Sequence, residues 1–139
     1  MKVIYIAGPF RGIHAWAVAQ NVSRAEIVAY EVFANGHAAL CPHTNTRHFD
    51  GSLPDQIFID GTLELMRRCD AVIVLPNYTR SQGTRGEIAE AERLEKPIQY
   101  LECITPAEVT KAVREIEIAL NVRARTQQET ESNGETKEG

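Results

Sequence analysis

Lys2-Val-Ile-Tyr-Ile-Ala-Gly-Pro-Phe-Arg-Gly12 opens the chain. After Lys2, its next five residues are β-branched, aromatic or apolar, and residues 2–7 read as a strand. Gly8 and Gly12 then flank a turn, with Arg11, a fork-shaped donor suited to phosphate, between them. From Ala15 to Ala34 apolar residues recur at 16, 18, 22, 25, 28, 29, 32 and 33, which is a helical pattern. A strand, a glycine turn and a helix form the opening unit of a doubly wound α/β fold. The turn lacks the Gly-Lys-Ser/Thr of a Walker loop and the spacing of a dinucleotide fingerprint.

The remaining chain repeats that alternation. Asn35-Gly36 stops the first helix, since both residues tolerate the left-handed cap. Ala38 to Cys41 reads as a second strand, ended by Pro42, and residues 42–56 as a long polar connection carrying His43 and His48 as solvated loop residues. A helix is predicted from about Gln56 to Arg68, a strand over Ala71–Leu75, a loop over Pro76–Gly83, and a helix from about Thr84 to Leu94. Ile98 to Leu101 reads as the fourth strand, and Thr105-Pro-Ala-Glu108 as a capped helix start. The expectation is a single doubly wound, Rossmann/flavodoxin-like domain over residues 1–120, with a parallel sheet of four to five strands. Residues 121–139, rich in Gln, Glu, Thr and Asn, are expected to be a disordered polar tail.

Composition narrows the function classes. The chain has 139 residues, a net charge of −4 and 24% charged residues, which leaves no basic footprint for polymeric nucleic acid. No apolar run approaches the ~20 residues of a membrane span, and the N-terminus enters a strand without a signal-peptide pattern. Three cysteines, Cys41, Cys69 and Cys103, without metal-type spacing fit small buried hydrophobes in a reducing cytoplasm. Trp16 on the first helix reads as a packing residue.

A second glycine-bearing block, Ser81-Gln-Gly-Thr-Arg-Gly-Glu87, follows the apolar run Ala71-Val-Ile-Val-Leu75. In an open parallel sheet ligands bind beyond the carboxyl ends of the strands. Gly83 and Gly86 permit close backbone approach, a helix N-terminus supplies free N–H groups, and Glu87, in the first turn of the predicted helix, is a candidate nucleophile or base.

With both blocks placed, the chain resembles the nucleoside 2-deoxyribosyltransferase superfamily. Within it, the resemblance is to the branch of (deoxy)nucleoside 5′-monophosphate N-glycosidases and related small phage-type proteins. It spans roughly residues 2–101. It rests on Tyr5-Ile-Ala-Gly8-Pro-Phe-Arg11-Gly12, on Leu65-Met-Arg-Arg-Cys-Asp70-Ala-Val-Ile-Val-Leu75, and on Ser81-x-Gly83-x-x-Gly86-Glu87-Ile-x-x-Ala91. The resemblance implies that Glu87 is the nucleophile. Ser81, where enzymes acting on free nucleosides tend to carry Asp, implies a 5′-phosphate on the substrate. An Asp that the family often places on the preceding helix is Thr62 here. Asp60, two residues earlier and so about 200° around a helix, takes its catalytic role if it stands at the helix start.

The implied activity is hydrolysis of the N-glycosidic bond of a (2′-deoxy)nucleoside 5′-monophosphate, releasing base and sugar 5-phosphate. Anionic groups stabilise the oxocarbenium-like state of such a cleavage. The substrate would be held by Tyr5, Gly8, Pro9, Phe10, Arg11, Gly12, Asn77, Ser81, Gly83 and Arg85. No cofactor and no metal are implied, and the partners are a small nucleotide and further copies of the chain in a homodimer or higher homo-oligomer, with neither nucleic acid polymer nor membrane. Base exchange through the same Glu, and a non-catalytic nucleotide-binding or sensing module, are the alternatives.

Overall fold

The computed structural model describes residues 1–135. In chain order the elements are β1 (Val3–Ala7), α1 (Ala15–Ala34), β2 (Ala38–Leu40), α2 (Pro42–Asn45), α3 (Asp55–Arg67), β3 (Ala71–Val74), a 3-10 turn (Tyr78–Arg80), α4 (Gln82–Arg93), β4 (Ile98–Tyr100) and α5 (Pro106–Glu135). The four strands form one sheet in the order β2-β1-β3-β4, all parallel, with Tyr5 opposite Leu40 on one side and Val72 on the other. This is the expected doubly wound α/β fold, with flavodoxin-like order.

Alternation along the strands divides the core between the two faces of the sheet. Ile4, Ile6, Ala71 and Ile73 pack with Ala25, Val28 and Val32 of α1 and with Val109, Val113 and Ile116 of α5. Tyr5, Ala7, Val72 and Val74 pack on the other face with Met66 of α3 and with Ile88 and Ala91 of α4. The central strands β1 and β3 therefore carry no charged residue and are nearly all buried, as both faces are covered. The carboxylate of Asp70 accepts the Val3 amide at 2.7 Å, and the Asp70 amide donates to Val3 O at 2.8 Å, fixing where β3 enters the sheet.

Local signals set the helix ends. His14 caps α1, its Nδ1 accepting from the Ala17 amide at 3.1 Å, and Gly36 takes φ +83° just beyond the other end. Ser81 caps α4, so that helix begins at Gln82, two residues before the expected start. Gly83 is consequently helical rather than part of a loop, and Glu87 stands in the second turn rather than the first. The connection after β2 is also less irregular than expected, since Pro42 at a helix start nucleates α2.

The largest departure is at the C-terminus. The expected disordered tail is helical as far as Glu135, continuous with α5; residues 136–139 lie outside the described residues. Low hydrophobicity argues against burial, and residues 121–134 are indeed exposed. It does not argue against a helix that extends a nucleus already formed by Val109 to Ile116. Arg, Ala, Gln and Glu, which dominate the first part of the extension, are good helix formers. Thr126 and Thr130 return their hydroxyls to the carbonyls of Val122 and Thr126, four residues back.

Among the described residues no helix is long and apolar enough to cross a membrane.

Candidate active site

β1 and β3 lie at the point where the strand order reverses, and the loops beyond them part to opposite faces of the sheet. On the α3/α4 face, Tyr5 projects from β1 fully buried, and its hydroxyl donates to Glu87 Oε1 at 2.9 Å. Burial pushes the Glu87 carboxyl up to about 7, against a smaller lowering by the Tyr5 hydroxyl. Burial, with Glu87 beside it, holds the Tyr5 phenol well above its ordinary value, so it remains a donor. The Thr62 hydroxyl favours the charged form of Tyr5, opposing that rise.

Thr62 is thus the α3 hydroxyl that meets Tyr5. Asp60, expected as the second catalytic carboxylate, is exposed, and its Oδ1 accepts from Gln56 Nε2 at 2.7 Å. The helix begins at Asp55, which puts Asp60 well inside it rather than at its start. The reach of Asp60 toward the pair required that start.

The two glycine pairs differ in kind. A Cβ on Gly8 would meet Leu75 Cβ at 2.9 Å, and one on Gly12 would meet Ala17 Cβ at 2.5 Å. Packing of the chain against itself requires both. A Cβ on Gly83 or Gly86 would meet nothing within 4 Å. These two weaken α4, by roughly 0.5–1 kcal/mol for a glycine in a helix interior, and nothing in the chain accounts for it. Both are exposed, so this surface of α4 is open to solvent.

Ser81 Oγ accepts from the Thr84 amide at 3.2 Å and from Thr84 Oγ1 at 2.8 Å, which leaves the Ser81 hydroxyl proton for another acceptor. Arg85 is exposed on the first turns of α4. Arg11, expected at a phosphate, is paired with Asp55 at the start of α3 in an exposed ion pair. Such a pair contributes about 0–1 kcal/mol, so it is readily exchanged for another anion.

On the α1/α5 face the same strand ends open into a crevice of about 470 Å³, lined by Pro9, Leu75, Pro76, Asn77 and Ile104 with Asn21, Arg24 and Ile27 of α1. Asn77 sits there with φ +63°, a left-handed conformation that Asn tolerates. Of the expected contacts, Pro9 and Asn77 line this crevice, whereas Tyr5, Ser81 and Glu87 do not.

One residue read as solvated is not. His43, on α2, is 3% exposed, and its Nε2 lies 3.0 Å from Gly8 O and 3.1 Å from Pro9 O, with the Phe10 ring edge-on at 5.9 Å. Two carbonyl partners require Nε2 to carry the proton. Nδ1 is then a bare acceptor, buried without a partner, a condition that costs about 1–3 kcal/mol. Burial lowers the pKa of the ring, so it is neutral near pH 7. Its partners lie some 35 residues away in sequence, and only the Pro42 helix start hinted that this stretch was ordered. Trp16, expected to pack, is 69% exposed. His48 is exposed with φ +67°, and among the described residues no three His, Cys, Asp or Glu side chains cluster as a metal site would need.

Among solved structures, the chain is similar to a 2-deoxyribosyltransferase from the psychrotolerant bacterium Bacillus psychrosaccharolyticus. The TM-score is 0.54 at 23% identity, over 79% of this chain and 81% of that one. At that identity the likeness concerns the fold. No curated protein matches the chain. Residues 2–101, which hold β1 to β4 and both glycine blocks, match a family model described as a domain of unknown function, DUF7768, and the chain belongs to that family.

Proposed function

We propose that this protein is an enzyme that cleaves the N-glycosidic bond of a 2′-deoxynucleoside 5′-monophosphate, with Glu87 as nucleophile. The observation that carries the reading is the Tyr5–Glu87 hydrogen bond, with Glu87 on a helix capped by Ser81 beyond the end of β3. The ionised Glu87 attacks the anomeric carbon, the bond to the base breaks with the base taking up a proton from solvent, and the sugar is held as an ester. Water then adds to the anomeric carbon and gives its proton to solvent, releasing deoxyribose 5-phosphate and restoring the carboxylate. Tyr5 stabilises the charged form of Glu87 before attack and after release. Thr62, rather than Asp60, is the α3 residue assigned beside the pair. Ser81 and the loop of residues 8–12 hold the phosphate, so that binding remote from the reacting bond orients it.

Glu87→Gln should abolish base release, by several orders of magnitude, while binding of the monophosphate persists. Chromatography of free base from each nucleoside monophosphate measures it, and near-normal turnover by the variant would overturn the assignment. Free nucleosides turned over as well as monophosphates would remove the phosphate from the reading.

Base exchange is a second reading, supported by the fold shared with a 2-deoxyribosyltransferase. A second free base then replaces water at the ester, and its addition should yield a new nucleotide.

Assembly into a homo-oligomer is part of the proposal. Trp16, Ile27 and Tyr30 are 69%, 50% and 71% exposed. At about 100° per residue they share a stripe opposite the buried Ala25, Val28 and Val32. Light scattering at tens of micromolar should give at least a dimer mass, and a monomer mass would count against it.

A further inference from the structure

Four consecutive carbonyls in the loop after β1 are held by two side chains. His43 Nε2–H donates to those of Gly8 and Pro9, and Asn21 Nδ2 donates to those of Phe10 and Arg11, at 3.1 Å each. In a trans peptide the carbonyl of one residue and the N–H of the next point in opposite directions. The Phe10 amide therefore points away from His43, and the Arg11 and Gly12 amides point away from Asn21. None of the three donates to an acceptor among the described residues. Successive free amides in a turn make a concavity that suits an anion.

The two clamps come from different elements, α2 and α1, and neither is itself at the Tyr5–Glu87 pair. His43 carries out this task with an imidazole whose other nitrogen is buried unpaired. A leucine of similar bulk would pack there without an unpaired acceptor, so packing does not explain the histidine, whereas its Nε2–H does.

We propose that His43 and Asn21 are positioning residues that fix the carbonyls of residues 8–11 and thereby present the Phe10, Arg11 and Gly12 amides to the phosphate of the substrate. The inference rests on the phosphate-bearing substrate proposed above and adds what sets its selectivity. Loss of a clamp lets the peptide planes turn, so affinity for the phosphate falls, while binding of free nucleosides, which carry no phosphate, does not.

The test is an NMR titration of the full chain with inorganic phosphate and, separately, deoxyribose 5-phosphate, following the amide signals of residues 10–12. In the natural sequence these signals should shift saturably. In His43→Leu or Asn21→Leu the dissociation constant should rise about tenfold or more, the weight of one or two charge-assisted hydrogen bonds. His43→Gln, which keeps a donor near the Nε2 position, should recover most of the affinity. A purely structural role would lower the thermal midpoint of all three variants without this rescue, and would weaken free nucleosides and monophosphates alike. Where His43→Leu fails to fold, Asn21→Leu and His43→Gln carry the comparison. Unchanged affinity in the Leu variants, or unresponsive amides in the natural sequence, overturns the proposal. Responsive amides in a protein that releases no base would instead overturn the enzymatic reading and leave this one standing.

Discussion

Removing the Tyr5 hydroxyl takes away the interaction that lowers the Glu87 pKa, and leaves the burial that raises it. In Tyr5→Phe the carboxyl should therefore titrate above its present value of about 7. The nucleophile must be ionised, so the rate of base release should rise with pH through that pKa. In the variant the rising limb should move to higher pH, with the plateau less affected. A pH–rate profile checks this, and a limb that stays in place would detach Tyr5 from the titration. Folding is linked with the same sign. A carboxyl raised in the folded state stabilises the fold in its protonated form, and that contribution fades as pH climbs from about 4.5 through about 7. The block from Ser81 to Glu87 could be placed beyond β3 from the sequence because strand and helix are local patterns, although Ser81 was not read there as the cap of α4. His43 and Arg11 were not legible, because what surrounds them comes from distant segments, Gly8–Pro9 and Asp55 respectively.

Helix α4 begins where a serine cap and a long backbone start, not where the first apolar residue falls, and the two-residue error in its expected start came from reading Gly83 as loop. That error hid a useful experiment. Gly86→Ala adds a Cβ with no neighbour within 4 Å in the fifth residue of the helix. It should stabilise the fold by roughly 0.5–1 kcal/mol, a rise of a few degrees in thermal midpoint, yet reduce base release if the open flank admits substrate. Gly61 in α3 is equally open and provides the control, since Gly61→Ala should stabilise similarly and leave turnover intact. Calorimetry and turnover on the same preparations separate the two effects, and full activity in Gly86→Ala would remove the flank from the site. The bounds of α1 were readable from sequence because its apolar spacing runs unbroken between His14 and Asn35-Gly36.

The described residues form a doubly wound body and a helical arm. Val109, Ala112, Val113 and Ile116 anchor α5 in the core, and the exposed residues 121–134 add nothing to it. Cutting the chain after Asn121 should leave the thermal midpoint unchanged. Turnover should also persist, unless the arm of one copy completes the site of another, so a truncated chain with intact stability and lost turnover would reveal that arrangement. Overall architecture was legible because both faces of the sheet impose their periodicity on the sequence. The arm was misread because polarity reports on burial and not on backbone conformation. The sheet ends on each side in a strand of three residues, β2 and β4. An extended peptide laid along either would gain only one or two backbone bonds, too few to hold it. Copies of this protein are thereby denied the indiscriminate ladder that recruits any β-prone segment. An assembly of copies would have to rest on side-chain shape instead, where a single substitution can break the match.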